Sequence, residues 1–172
     1  MIKILSSLAF VVSVMFATEV TYPTTNTQTP IKMDIQEKSI IFKNLPKKYT
    51  LLEFFGVRCP MCRMEVPHLI SMQKNNPRLQ VVAVEMQGTN KETLDDFIFE
   101  KGINYPVFSF DYSSELYKFG NRINTNWEGG IPMTIVLDPN GQALLYFMGV
   151  ISEDEIIEAI KNATGVDINQ NL

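Results

Sequence analysis

The only two cysteines of the 172-residue chain stand two residues apart, as Cys59-Pro60-Met61-Cys62. Thiols at this spacing can exchange disulfides, hold a soft metal, or form a staple. A bridge between them closes almost no loop, so it constrains the unfolded chain little, which argues against a staple and for redox use. The flanking residues are an apolar run, Tyr49–Phe55 with Gly56, and a helical pattern from Arg63 onward. Cys59 therefore falls at a helix N-cap, with Pro60 at the first helical position, where a missing N–H costs nothing. The free N–H groups of Met61 and Cys62 and the helix dipole then favour a Cys59 thiolate. That is what a nucleophilic cysteine requires. Cys62, one turn further on and facing inward, is placed to resolve a mixed disulfide formed at Cys59.

The elements that must position this pair follow from pattern and punctuation. Ile31–Ile35 and Ile40–Lys43 alternate around Gln36–Ser39 and predict an edge hairpin. Tyr49–Phe55 is apolar on both faces apart from Glu53 and predicts a central strand. The helix Pro60–Asn75 stops at Asn76-Pro77. Leu79–Met86 reads as a second buried strand. Asn90 caps a helix over Lys91–Lys101 that Gly102 closes. Pro106–Phe108 reads as a short strand, Ser113–Phe119 as a short helix, and Asn121–Gly130 as irregular. Met133–Leu137 and Ala143–Gly149 flank Asn140-Gly141 and predict an antiparallel hairpin. Ser152 with Glu155 makes a capping box before a last helix, Glu153–Asn162. This order predicts an α/β fold with a mixed sheet between helices.

Fifteen Lys and Arg against nineteen acids, a net charge of −4, give no basic footprint for nucleic acid. Lys3 followed by the uncharged Ile4–Ala17 has the make-up of an export signal. The stretch falls short of the ~20 residues a membrane span needs. Cleavage after Ala17 and retention of 1–17 as a short anchor are both open. The expected division is 1–17 signal or anchor, 18–30 flexible linker rich in Thr, 31–164 domain and 165–172 frayed tail.

Phe54-Phe55-Gly56 leading into Cys59-Pro60-Met61-Cys62-Arg63, then Glu65 and Pro67, form one block of motif. Gly130-Ile131-Pro132-Met133-Thr134 and Leu137-Asp138-Pro139-Asn140-Gly141 form another, beginning about seventy residues later. With these residues, Ile40 to Ala163 resembles the thioredoxin superfamily, and within it the exported thiol-disulfide oxidoreductases of the TlpA/ResA/CcmG type. The resemblance implies a thioredoxin fold: three α/β/α layers, a central mixed sheet, an N-terminal hairpin, and an inserted helix-strand segment over Asn90–Arg122. It implies Cys59 and Cys62 as the catalytic pair and Pro132 as a cis-proline. That proline would hold the Ile131 backbone opposite Cys59, where a substrate peptide pairs as an added strand. Glu53 aligns with a buried acid that exchanges a proton with the resolving thiol. Arg58 stands where the family has tryptophan.

The resemblance further implies a periplasmic or other extracytoplasmic reductase of protein disulfides, soluble or N-terminally anchored. It would be recharged by a membrane thiol donor and act on substrates of the cytochrome c maturation type. No cofactor, no metal and a monomeric chain are expected. A DsbA-like oxidant shares the mechanism and differs only in potential. A Cu(I) carrier or idle binding domain is the alternative of a different class, with Cys59, Cys62 and Met61 as soft ligands. Met64, Met72, Met86, Met133 and Met148 read as core positions instead. Pro60 and Met61 tune the pair. Arg58 is either a cation that tunes Cys59 or a solvated surface arginine. Glu53 is either buried under the pair or at a sheet edge. Trp127 either supplies a substrate-binding aromatic or packs under its own loop. His68, nine residues after Cys59, is about 900° around the helix and so on its far side. It is not expected to act as a base.

Overall fold

The computed structural model describes residues 18–22, 24, 30–109 and 115–169. Their elements are β1 (Thr18–Tyr22), β2 (Ile31–Ile35), β3 (Ile40–Phe42), β4 (Tyr49–Phe55), α1 (Pro60–Asn75), β5 (Leu79–Glu85), α2 (Lys91–Lys101), β6 (Val107–Ser109), α3 (Glu115–Ile123), β7 (Met133–Leu137), β8 (Ala143–Met148) and α4 (Glu153–Thr164). The main sheet has the order β6-β5-β4-β7-β8. β4, β5 and β6 run parallel, and β7 and β8 are antiparallel to their neighbours. β4 lies at the centre with every residue buried, as its doubly apolar pattern requires.

The alternation of β4 divides the core. Leu51 and Phe55 pack with Val66, Leu69 and Met72 of α1, Leu94 and Phe97 of α2, and Ile156 and Ile160 of α4. Leu52 and Phe54 pack on the other side with Leu116 and Phe119 of α3 and with Ile31, Met33, Ile35 and Ile40. The outcome is the mixed sheet between helices that the sequence predicts, with a smaller sheet added to the α3 side. Its hairpin β2–β3 forms as expected and becomes three-stranded because β1 pairs with β2 from Thr18↔Ile35 to Tyr22↔Ile31. This corrects the linker reading of 18–30 over Thr18–Tyr22. The β-branched threonines that make the stretch look linker-like also suit an edge strand.

Two other boundaries move. α3 runs to Ile123, past the limit set at Phe119, because Gly120 is helical where the chain packs on Trp127. The tail is not frayed over 165–169: Ile168 is buried, Arg78 donates to the Asp167 carbonyl at 3.3 Å, and Asn76 donates to Asn169 at 3.2 Å. The signal or anchor expected at 1–17 lies outside the described residues. Among the described residues no helix is long and apolar enough to cross a membrane.

Candidate active site

Cys59 is the N-cap of α1, with Pro60 in the first turn, as the sequence predicts. Its sulfur accepts the Cys62 N–H at 3.1 Å, and its carbonyl accepts the Arg63 N–H at 3.1 Å. The two cysteines are joined as a disulfide with Cα atoms 5.3 Å apart. Cys59 is the outer partner, 9% exposed against 1% for Cys62. Met61 projects to solvent beside them.

The Ile131–Pro132 peptide is cis. It brings the Ile131 carbonyl oxygen to 3.8 Å from the Cys59 sulfur. Thus two segments 72 residues apart in the chain form the walls of one site.

Behind the cysteines lie two carboxyl groups. Glu53, inward on β4, is 1% exposed, and its Oε2 accepts the Thr134 hydroxyl at 2.5 Å. Glu65 follows Cys62 by three residues on α1, so both share the buried face of that helix. The Glu53 Oε1 and both Glu65 oxygens are buried, with no hydrogen-bond partner among the described residues. Glu65 lies near both Glu53 and the Ile151 backbone without reaching hydrogen-bond geometry with either. Burial, and then the charge of Glu65, hold the Glu53 carboxyl well above its ordinary value. Burial pushes Glu65 up to about 7. The phenol of Tyr105, also buried, is pushed up by burial and then by Glu53 and Glu65. A buried pair of this kind holds a proton at neutral pH, because two adjacent carboxylate charges in a buried space repel each other and are poorly solvated.

The other expected residues divide. Arg58 is exposed, and its guanidinium donates to the Gln87 carbonyl at 3.3 Å. Of the two placements open to Trp127, the structure has the second: it is 3% exposed and packs under its own loop. Its ring stacks obliquely on Phe54 and Tyr117, with centroids at 4.9 and 5.3 Å. Its Nε1–H donates to the Gly130 carbonyl at 2.6 Å. It packs under the loop and holds the residue before Ile131. His68 is exposed on α1, away from the pair. Met72, Met86 and Met133 are buried as expected, but Met64 and Met148 are exposed, which corrects their core assignment. Among the described residues no group of three or more His, Cys, Asp or Glu is arranged to hold a metal.

Sequence reasoning did not single out Thr134 or Gln87, and it took Glu65 only as part of a motif. The signal for Glu65 was available: position i+3 from an inward cysteine is itself inward.

Residues 20–143 match the AhpC/TSA family. The thiol:disulfide interchange protein HelX of Rhodobacter capsulatus is 30% identical over 118 residues, which are 66% of this chain and 59% of HelX. The thiol-disulfide oxidoreductase ResA of Halalkalibacterium halodurans is 24% identical over 132 residues, 74% of this chain and 71% of that protein. A thiol:disulfide interchange protein of the thioredoxin family from Chlorobium tepidum shares the fold with a TM-score of 0.63 at 22% identity, covering 86% of this chain and 94% of that one. A secreted thiol-disulfide isomerase from Corynebacterium glutamicum does so with a TM-score of 0.67 at 16% identity, covering 90% and 86%. A match over this much of the chain, on a fold that closes Cys59 against Ile131-Pro132, shows that the chain belongs to the AhpC/TSA family of the thioredoxin superfamily.

Proposed function

We propose that the chain is an extracytoplasmic thiol-disulfide oxidoreductase that reduces protein disulfides. The observation that carries this reading is the setting of Cys59: a helix N-cap sulfur that accepts the Cys62 N–H, 3.8 Å from the Ile131 carbonyl. In the dithiol form the Cys59 thiolate attacks one sulfur of a substrate disulfide. The Cys59–substrate bond forms, the substrate S–S bond breaks, and the leaving thiolate takes a proton. Cys62 then gives its proton to the buried Glu65/Glu53 pair and attacks Cys59. The second substrate thiolate leaves, and two electrons have passed to the substrate as the Cys59–Cys62 disulfide forms. A peptide laid along Ile131 as an added strand presents its sulfur to Cys59.

The names of HelX and ResA support thiol-disulfide exchange, and the ResA-type resemblance supports substrates of the cytochrome c maturation type. Recharging calls for a dithiol donor, for which a membrane thiol protein is the partner of fitting chemistry. An N-terminal segment acting as export signal or anchor fits this setting.

The test is reduction of insulin disulfides. Wild-type protein catalyses it with a dithiol donor present, and Cys59→Ser has no activity. Activity retained by that variant would overturn the reading.

A further inference from the structure

The Val57–Arg58 peptide unit, one unit upstream of the peptide that leads into Cys59, is held at both of its polar ends by side chains from different elements. Its N–H, that of Arg58, donates to the Gln87 side-chain carbonyl at 2.7 Å. Its C=O, that of Val57, accepts from the Arg63 guanidinium at 3.4 Å. Gln87 follows β5, and Arg63 lies on α1 one residue beyond Cys62. Neither belongs to the turn they hold.

Each holder is itself fixed. Gln87 lies flat on Gly56: a Cβ there would sit 2.4 Å from its Cδ, so only glycine leaves room for the amide. The Gln87 N–H donates to Glu85 Oε1 at 3.1 Å, and the same buried carboxylate accepts the Thr89 N–H at 2.9 Å and its hydroxyl at 2.8 Å. The Gln87 carbonyl takes the Arg58 guanidinium, which closes a two-way clasp between residues 58 and 87. Arg63 lies over the Phe97 ring of α2 at 5.5 Å. A turn bond from the Cys59 N–H to the Gly56 carbonyl, 3.1 Å, completes the frame.

We propose that Gln87 and Arg63 are positioning residues that clamp the Val57–Arg58 peptide and thereby hold the Cys59 sulfur at the Cys62 N–H. The inference rests on Cys59 being the nucleophile of the proposed exchange reaction. A peptide plane has one soft dihedral on either side. With the 57–58 unit fixed at both ends and the next N–H, that of Cys59, held by the Gly56 carbonyl, Arg58 has little freedom to swing Cys59 off the cap. When the clamp is released, the sulfur leaves the N–H that stabilises its anion, and the thiolate fraction falls. This also assigns Arg58 a place: its backbone is the clamped group, and its guanidinium is engaged by a carbonyl.

The experiment measures alkylation of Cys59 by iodoacetamide against pH in the reduced protein, for the wild type, Gln87→Met, Arg63→Gln and the double variant. Gln87→Met keeps the length and neutral charge of the side chain and replaces its whole amide, including the Oε1 that accepts the Arg58 N–H. Amide hydrogen exchange at Arg58 is followed in parallel. The proposal expects faster Arg58 exchange in Gln87→Met and an upward shift of the Cys59 titration of about one unit, that is, about tenfold less thiolate below its pKa. It also expects a double variant whose shift is smaller than the sum of the two, since both act on one peptide unit. An unchanged Cys59 titration in Gln87→Met, with only thermal stability reduced, would overturn it. So would fully additive shifts. These readouts need no substrate, so absence of insulin reduction by the wild type would overturn the oxidoreductase reading while the alkylation profile still decides the clamp.

Discussion

Glu53 and Glu65 reach the same buried space from two elements, β4 and α1, and among the described residues only one of their four oxygens has a hydrogen-bond partner, the Thr134 hydroxyl on Glu53. The sheet supplies one carboxyl and the redox helix the other. Their environments are unequal, since Glu53 alone accepts a hydrogen bond, from Thr134. The pair therefore takes up and releases protons as a unit beside the inward face that carries Cys62.

Stability should fall as pH rises through this pair. A carboxyl whose folded pKa stands above its unfolded value binds more protons folded than unfolded. Its favourable contribution is complete below about 4.5 and is lost as pH climbs through the raised value. For Glu65 that window runs from the ordinary 4.5 to about 7. Glu65→Gln should leave stability near pH 4 little changed and raise it at pH 8, by up to about 3 kcal/mol. Urea melts at the two pH values check this. A gain equal at both would show that the carboxyl's ionisation is not involved.

The same pair should shape the rate. Glu65→Gln and Glu53→Gln should each slow resolution of the mixed disulfide by roughly 10²-fold near neutral pH, the usual range for a displaced general base. The rate–pH profile of Glu65→Gln should lose its inflection near 7. Stopped-flow tryptophan fluorescence can follow the step, because Trp127 packs on Phe54 beside Glu53. A profile identical to wild type would exclude the pair from proton transfer.

Cys62→Ser should trap the intermediate. Cys59 remains at the cap with its substrate attached, since the inner thiol that would displace the substrate is gone. Mass spectrometry of the variant after exposure to an oxidised peptide should show one covalent adduct on Cys59, released by dithiothreitol. Cys59→Ser should form none.

Much of this site is legible from residue order alone. Cys59 and Pro60 mark a helix start by their chemistry, and Asn76-Pro77 marks its stop, so α1 is bounded as expected. Tyr49–Phe55 is apolar on both faces because the strand is central. What escapes is set by distant packing. Gly120 inside α3 looks like a terminator, yet a Cβ there would meet the Trp127 ring at 2.3 Å, so tertiary contact and not propensity chose the residue. Trp127 itself has one sequence and two reasonable placements, and only the fold of 124–130 decides between them. Gln87 carries no local signature, because the Arg58 N–H it accepts is 29 residues away, and Glu65, whose spacing from Cys62 marks it as inward, gives no local sign of Glu53, 12 residues away.

Trp127→Phe keeps an aromatic ring against Phe54 but shrinks it, and the Gly130 carbonyl loses its donor. Gly130 is exposed, so water can take the donor's place, and the lost hydrogen bond should cost about 0.5–1.5 kcal/mol. Because Gly130 precedes Ile131, reduction of a peptide disulfide should suffer more than reduction of a small disulfide such as oxidised glutathione. Thermal melts and a comparison of KM on the two substrates test this. Equal effects on both would place Trp127 in the core alone.

The small N-terminal sheet has a consequence for orientation. The Ile40 N–H donates to the Gly141 carbonyl at 2.8 Å, and the Ala143 N–H donates to the Lys38 carbonyl at 2.9 Å. These bonds stitch the β2–β3 turn to the β7–β8 turn. That turn lies at the Thr50↔Leu137 end of the sheet, whereas Cys59 and Pro132 follow and precede the Phe54↔Met133 end. Thr18, paired with Ile35, leaves the domain beside the stitched turns. Whatever precedes Thr18 is thus attached one strand length, roughly 20 Å, from the disulfide. A bilayer holding that segment would meet the base of the molecule, with the sulfur pair turned toward the open compartment.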